Sequence, residues 1–291
     1  MLSLVRRARY LSWAASRRIG ANLDCPWCGC PSSKVSTKAF VTQLRECGGC
    51  RLRFRVPKDD LEIAEEFYEN EYEQGFTTDC PTDEELERLV ATGFAGSPKD
   101  YRAYLGVLRA AGLQDGARVL DFGSSWGYGS WQMSRAGYRV SSYELSRSRG
   151  RFAKDRLGCD VISDPAAAGT FDCIFAAHVL EHLARPQLFW DIARQVTAPG
   201  GWAICFVPNG NPELEQVYGK RRYHRLWGKV HPLLLNEPSL KEMASRNGFS
   251  ATLFSSPYID HDIASRVTDS ALMGDELAII ARRRSSAEKA Q

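Results

Sequence analysis

Four cysteines in this chain are spaced to hold a metal ion. Cys25 and Cys28 form one C-x2-C pair, Cys47 and Cys50 form a second, and eighteen residues lie between the pairs. A C-x2-C turn aims two thiolates at one point, and two such turns complete the tetrahedral sulfur cage of a structural Zn2+ site. Two disulfides or four buried thiols are the competing readings, and a reducing compartment opposes the first. Cys30 is a spare thiol that could compete with Cys28, whereas Cys80, Cys159, Cys173 and Cys205 stand singly. The last three of these fall in apolar, strand-like runs and read as small core residues.

A second group begins at Val119-Leu120-Asp121-Phe122-Gly123-Ser124-Ser125-Trp126-Gly127-Tyr128-Gly129, which reads as a buried strand, a glycine-rich turn and a helix start. Glycines allow backbone to approach a ligand closely, and the crevice at the carboxyl end of a parallel strand is where open α/β sheets bind nucleotides. Ser125 stands where the dinucleotide fingerprint G-x-G-x-x-G has its second glycine, so a dinucleotide is not predicted. Asp121, two residues ahead of the first glycine, suits a ligand that carries positive charge. A third group is His178, Glu181 and His182. The i,i+4 spacing of the histidines permits a metal site on one helix face, but it differs from H-E-x-x-H and the reading is set aside.

The elements that must position these groups follow from periodicity. Lys and Arg number 38 against 35 Asp and Glu, too even a balance to predict a polyanionic partner, although arginines crowd residues 6–18 and acids crowd 59–87. Residues 1–20 form a basic N-terminal segment whose arginines and large apolar residues are poorly segregated, which favours packing on the protein over lying on a membrane. Residues 21–57 form a cysteine-rich ribbon, and 58–98 an acidic helical linker or lid with helices expected near 59–74 and 83–90. No apolar run approaches the roughly 18 residues that span a bilayer, so no transmembrane segment and a cytoplasmic location are expected.

From residue 99 to 291 strand and helix patterns alternate. Strands are predicted near 117–122, 138–144, 159–163, 171–177, 201–208, 249–256 and 275–283, with helices near 127–136, 146–157, 186–197 and 238–247. Repeated βα units imply a Rossmann-like, mostly parallel seven-stranded sheet with helices on both faces. No helical pattern separates the last two strands, so the last is expected to run antiparallel. Two long segments, 209–237 and 257–274, break the rhythm and are read as functional loops.

Residues 100–283 resemble a class I S-adenosylmethionine-dependent methyltransferase, and the whole chain resembles the subgroup with an N-terminal zinc ribbon. The motifs that carry this are VLDFGSSWGYG at 119–129, YELS at 143–146, FDCIFAAHVLEHL at 171–183, APGGWAICFVPN at 198–209 and HPLLLNEPSLKEMASRNGF at 231–249. The ribbon adds ECGGCRLRFRVP at 46–57 and FYENEY at 67–72. The resemblance implies that Asp121, Gly123, Ser125, Gly127 and Tyr128 line the methionine end of S-adenosylmethionine. It places Glu144 on the ribose hydroxyls and Asp164 near the adenine amino group. His178 would lie near the methyl group as general base, with His231 as second choice. Ser125 departs from the glycine usual at its position.

Methyl transfer needs chiefly alignment, because the sulfonium is already activated. The absence of an N-P-P-Y type motif after the fourth strand favours a hydroxyl or carbon acceptor over a base amino group. Arg221, Arg222, Tyr223 and His224, with Trp227 beyond, combine cations and aromatics that suit an anionic acceptor such as a nucleotide sugar or glycan; a solvated basic loop is the bland alternative. A zinc-ribbon RNA methyltransferase would need a strongly basic surface, which the near-neutral charge opposes. A non-catalytic cofactor-binding adaptor would have no need of Asp121 and Glu144, and both are present.

Overall fold

The computed structural model of the chain describes residues 2–59, 79–266 and 271–285. The acidic helix expected near 59–74 and the FYENEY motif therefore lie outside the described residues. Helix α1 (Leu2–Ser16) leads into strands β1 (Ser32–Lys38), β2 (Thr42–Cys47) and β3 (Arg53–Val56). Helices α2 (Asp83–Ala91) and α3 (Arg102–Ala110) then precede the alternating region. That region runs β4 (Arg118–Phe122), α4 (Tyr128–Arg135), β5 (Arg139–Tyr143), α5 (Arg147–Leu157), β6 (Asp160–Val161), β7 (Phe171–Ala177), α6 (Gln187–Val196) and β8 (Thr197–Pro208). It closes with α7 (Glu213–Tyr223), β9 (Leu233–Leu234), α8 (Glu237–Arg246), β10 (Phe249–Ser255), α9 (Asp260–Ser265) and β11 (Glu276–Arg283).

Seven strands form one sheet in the order β10-β11-β8-β7-β4-β5-β6. The β6, β5, β4, β7 and β8 neighbours pair in parallel, and β11 inserts antiparallel to both β8 and β10. This is the Rossmann-like, mostly parallel sheet that the alternation implies, with its reversed last strand. Period-two alternation divides the strands between two cores. Leu120 and Phe122 of β4 pack with Phe189 and Trp190 of α6 and Met243 of α8, whereas Val119 packs with Leu108 of α3, Met133 of α4 and Ile263 of α9. Helices thus cover both faces.

Two segments differ from expectation. Residues 209–237 and 257–274 hold helices α7 and α9, not only loops. In α7 only Leu214 and Tyr223 are buried, and Gly219 breaks the helical conformation, so no apolar periodicity marks it in the sequence. The N-terminal helix packs on the ribbon: the guanidinium of Arg55, almost wholly enclosed, lies 5.8 Å from the Tyr10 ring and 5.2 Å from that of Trp13.

The ribbon is not self-contained. β1 and β2 lie inside the gap between the cysteine pairs, and the four-stranded sheet β1-β2-β3-β9 takes its last strand from residues 233–234. Phe54 pairs with Leu233 and Arg53 with Leu234, and the Arg55 amide donates to the Pro232 carbonyl. Arg53, also buried, donates to Glu46 Oε2 at 2.7 Å and to the Tyr223 hydroxyl at 2.8 Å, and that hydroxyl donates to the Gly210 carbonyl. Asn236 caps α8 by accepting from Ser239 N–H and donates its amide to the Arg51 carbonyl of the ribbon.

Gly210 is where these two bodies press together. Its N–H donates to the Leu235 carbonyl, and a Cβ there would meet that oxygen and lie 2.8 Å from Leu234 Cγ. Because the obstacle is mainly backbone, Gly210→Ala should lower stability by about 1–3 kcal/mol in chemical denaturation.

Candidate functional site

The turn after β4 is set by two backbone hydrogen bonds, from Gly123 N–H and Ser124 N–H to the Tyr143 carbonyl at the end of β5. Gly123 has φ +81°, and a Cβ on it would lie 2.5 Å from Val179 Cγ2, so both conformation and space require glycine. Ser125 takes up a left-handed conformation at φ +53° and lines a cleft of about 780 Å³. Its buried hydroxyl has no partner among the described residues, which fits a group waiting for a polar ligand. Gly127 is the N-cap of α4 and makes no side-chain cap, and Tyr128 lines the same cleft.

Glu144 reaches into this cleft from the end of β5. It accepts from Ser125 N–H on one oxygen and from Ser146 N–H on the other, both at 2.8 Å. Burial pushes its pKa up, and these amide donors oppose that rise. Leu145 and Leu188 line the same cleft as exposed apolar side chains. Together they suit a flat ring beside a diol.

Asp121 and Asp164 are arranged differently from expectation. Asp121 is only 2% exposed and lies beneath the turn, on the Val119 side of β4, where its carboxylate accepts from Ser130 Oγ at 2.6 Å. Burial raises its pKa to about 7. Its neighbour Phe122 faces the cleft, because strand side chains alternate. Asp164 is exposed, accepts from Ala166 N–H and does not line the cleft.

At the far end of the cleft, His178 follows β7 with φ +55°. It precedes a single 3-10 turn, Leu180–His182, so His178 and His182 do not share a helix face as their spacing suggested. The His178 Nε2 lies 2.6 Å from Glu276 Oε2, and its Nδ1 lies 3.4 Å from Glu181 Oε1. Enclosure alone would lower the pKa of this ring, but the two carboxylates outweigh it and raise the pKa to about 10. A general base must be able to accept a proton. Between two carboxylates His178 already holds one at neutral pH, which suits orienting or charge-stabilising work. Glu276 also accepts from the hydroxyls of Tyr104 (2.8 Å) and Tyr258 (2.6 Å). Neither Glu276 nor Tyr104 is among the site residues expected from the sequence, where Tyr104 reads only as an apolar contact of its helix; the one signal is the acid pair Asp275-Glu276 opening an apolar strand.

His182 donates Nδ1–H to the Val230 carbonyl, and burial lowers its pKa to about 4. His231 lines the cleft, with its ring centroid 4.7 Å from that of His182. The candidate acceptor residues Arg221, Arg222, Tyr223 and His224 do not line the cleft. Tyr223 is instead a buried link between β3 and Gly210, His224 bonds to Ser36, and Arg222 pairs with Asp275 at 3.2 Å. Arg221 is exposed. With Tyr223 anchored inward at the end of α7, the chain that follows turns toward the cleft. Arg225, Trp227, Lys229 and His231 form that wall. The ribbon's Lys38 braces it, donating to the His224 and Trp227 carbonyls with its ammonium 4.3 Å from the Trp227 ring centroid.

In the ribbon, one ligand atom from each of Cys25, Cys28, Cys47 and Cys50 falls within 4.8 Å of the others. The Sγ atoms of Cys28 and Cys47 are 3.3 Å apart, and those of Cys25 and Cys50 3.6 Å. Trp27 N–H points to Cys25 Sγ and Gly49 N–H to Cys47 Sγ, so each knuckle supplies an amide to a sulfur. All four are free thiols, and Cys30 lies outside the quartet.

A family model described as a methyltransferase domain matches residues 98–253, more than half of the 291 residues. The chain belongs to the class I S-adenosylmethionine-dependent methyltransferases. It is therefore an enzyme whose cofactor is S-adenosylmethionine. It is 29% identical over 186 residues to the biotin biosynthesis bifunctional protein of Cellvibrio japonicus, covering 58% of this chain and 36% of that protein. It is 31% identical over 108 residues to a ubiquinone biosynthesis O-methyltransferase of Cereibacter sphaeroides, covering 34% of this chain and 44% of the relative. The matched regions span less than half the length of these relatives. A solved magnesium protoporphyrin IX methyltransferase from Synechocystis PCC 6803, with bound SAH, is similar at 16% identity and a TM-score of 0.48, covering 77% of this chain and 100% of that one. Among the described residues of the enzyme no helix is long and apolar enough to cross a membrane.

Because the folded pKa of His178 is raised, its contribution to stability is present below the ordinary histidine range and is lost as pH rises through about 10. Glu276→Gln removes one of the two carboxylates. The His178 ring should then titrate nearer neutrality, as followed by NMR of its ring nitrogens.

Proposed function

We propose that the enzyme moves the methyl group of S-adenosylmethionine to a hydroxyl, or an activated carbon, of a small-molecule or glycan acceptor that carries negative charge. One observation carries this reading: a single cleft runs from Glu144 at one end to Arg225, Trp227, Lys229 and His231 at the other. Its volume of about 780 Å³ lies in the range, about 300–1,000 Å³, typical of small-molecule sites. The cofactor occupies the Glu144 end, with Gly123, Ser125, Gly127 and Tyr128 against the methionine portion. Asp121 supports that turn from beneath. The acceptor occupies the end walled by residues 225–231. The names of the ubiquinone biosynthesis O-methyltransferases favour a hydroxyl over a nitrogen acceptor.

In this reading the cofactor supplies an electrophilic methyl group, and the protein supplies alignment and exclusion of water. Glu144 orients the ribose, while Leu145 and Leu188 cover the purine. His178, held protonated by Glu181 and Glu276, fixes the acceptor or steadies charge on it. Arg225 and Lys229 attract the anionic group. The ribbon, residues 21–57, holds one structural Zn2+ in Cys25, Cys28, Cys47 and Cys50, whose sulfur spacing and amide donors fit a tetrahedral ion.

Three outcomes test this. Glu144→Ala should raise the Kd for S-adenosylmethionine at least about 100-fold in calorimetry, since charge-assisted hydrogen bonds contribute about 1.5–3 kcal/mol each. Arg225→Ala with Lys229→Ala should raise the acceptor KM about tenfold or more and leave the cofactor KM unchanged. Labelled methyl groups offered to pools of hydroxylated metabolites, nucleotide sugars, glycans and RNA should enter the first three; incorporation into RNA alone would overturn the reading. For the ribbon, Cys47→Ser should lower the near-ultraviolet thiolate absorption of the Co2+-substituted enzyme by about a quarter or more and weaken metal retention.

A further inference from the structure

Glu181 is 2% exposed, and neither of its buried oxygens has a hydrogen-bond partner within the described protein. A carboxylate so placed costs several kcal/mol unless something compensates it. The histidines beside it make ion-pair contacts without a hydrogen bond, His178 Nδ1 at 3.4 Å and His182 Nε2 at 3.8 Å. His178 gives its closer contact to Glu276.

The two remaining histidines are held in one tautomer. The Nδ1 of His182 is 2.8 Å from the Val230 carbonyl, and the Nδ1 of His231 is 3.1 Å from the Leu226 carbonyl. A carbonyl can only accept, so each Nδ1 donates its proton there, and Nε2 is the ring nitrogen that can face an ion. A backbone carbonyl on the far nitrogen is the arrangement that orients metal-binding imidazoles. One ligand atom from each of Glu181, His182 and His231 falls within 4.8 Å of the other two. Donors about 2.0–2.2 Å from a common ion need only a modest contraction of that spacing.

The geometry points to a second metal site, formed by Glu181, His182 and His231, that holds a divalent transition-metal ion in the wall of the cleft. Two imidazoles and one carboxylate suit Zn2+, Fe2+ or Co2+ better than Mg2+, and three protein ligands leave coordination positions open to the cleft. The spacing argument against a metal at His178, Glu181 and His182 does not reach this set, because its third ligand comes from a different segment and His178 is not in it. The cysteine quartet is a closed site; this one is open, as a catalytic ion requires.

Its role rests on the hydroxyl-acceptor reading given above. An acceptor oxygen at an open position would release its proton to water more readily. The oxygen lone pair then forms the bond to the methyl carbon, and the sulfur–methyl bonding pair stays on sulfur. No general base is needed on this route.

The test uses the full chain with its cysteine quartet filled by zinc, titrated with Co2+ and followed by calorimetry and visible absorption. One further Co2+ per chain should bind, with weak d–d bands and no thiolate absorption. His231→Ala and Glu181→Gln should each weaken that binding by at least about tenfold, while zinc content and S-adenosylmethionine affinity stay unchanged. His231 is a part-exposed loop residue, so its variant reads the site even if Glu181→Gln fails to fold. No further ion bound at ~1 mM Co2+, or equal affinity in His231→Ala, would overturn the site. Because the readout is metal binding, hydroxyl methylation without a second ion sinks only this proposal. A second ion with no methylated hydroxyl acceptor leaves the site standing and removes its role.

Discussion

Two residues of β9 complete the ribbon sheet, and the 225–231 wall of the cleft depends on that short ladder. Leu233 and Leu234 pair with Phe54 and Arg53, and the Pro232 carbonyl takes the Arg55 amide. Everything between α7 and β9 is therefore held at both ends, by Tyr223 inside the core and by β9 on the ribbon. That stretch contains Arg225, Trp227, Lys229 and His231, the wall opposite the cofactor turn. Any loss of order in β3 would therefore be felt in the cleft. The ribbon is thus part of the site's scaffold, and its core is continuous with that of the large sheet through Leu52, Phe54 and Val56.

The cleft is polarised by what is buried around it. At one end Glu144 accepts from two backbone amides, which oppose the upward push of burial on its pKa. At the other end Glu276 gathers Tyr104, Tyr258 and His178, while Glu181 has His178 at 3.4 Å but no hydrogen bond among the described residues. Asp121 completes the set from below, linked through Ser130 to Ser142 and raised by burial to about 7. Carboxylates in poorly solvated places are costly, and their concentration around one cleft marks where cations and polar ligands are meant to go.

Much of the fold is legible in the sequence because βα alternation writes itself in two periods. The strands at 117–122, 171–177 and 275–283 and the helices at 146–157 and 186–197 fall within a residue or two of their predicted bounds. Helix α7 was missed because it buries only two side chains and is interrupted at Gly219. The cysteine quartet could be picked out from its spacing and Glu144 from the family resemblance, and the structure brings the four sulfurs together and sets Glu144 in the cleft. Asp121 could be picked out but not oriented, because alternation along β4 turns it away from Phe122 and from the cleft.

What the chain determines by itself is local: a C-x2-C turn converges its thiols, a glycine admits a left-handed turn, and an apolar run becomes a strand. These suffice for the fold class, a nucleotide-type cradle after the first strand of the large sheet and the cysteine quartet; the methyl donor follows from the family resemblance. What only the tertiary structure decides is which distant residues meet. Glu276 is 98 positions from His178, and His231 is 49 from His182, so no spacing rule relates them. Their meeting depends on the insertion of β11 beside β8 and on the ribbon's hold on β9, both long-range pairings. The physics of a buried carboxylate then depends on those neighbours, and that is why His178 is protonated and Glu181 is left seeking a partner.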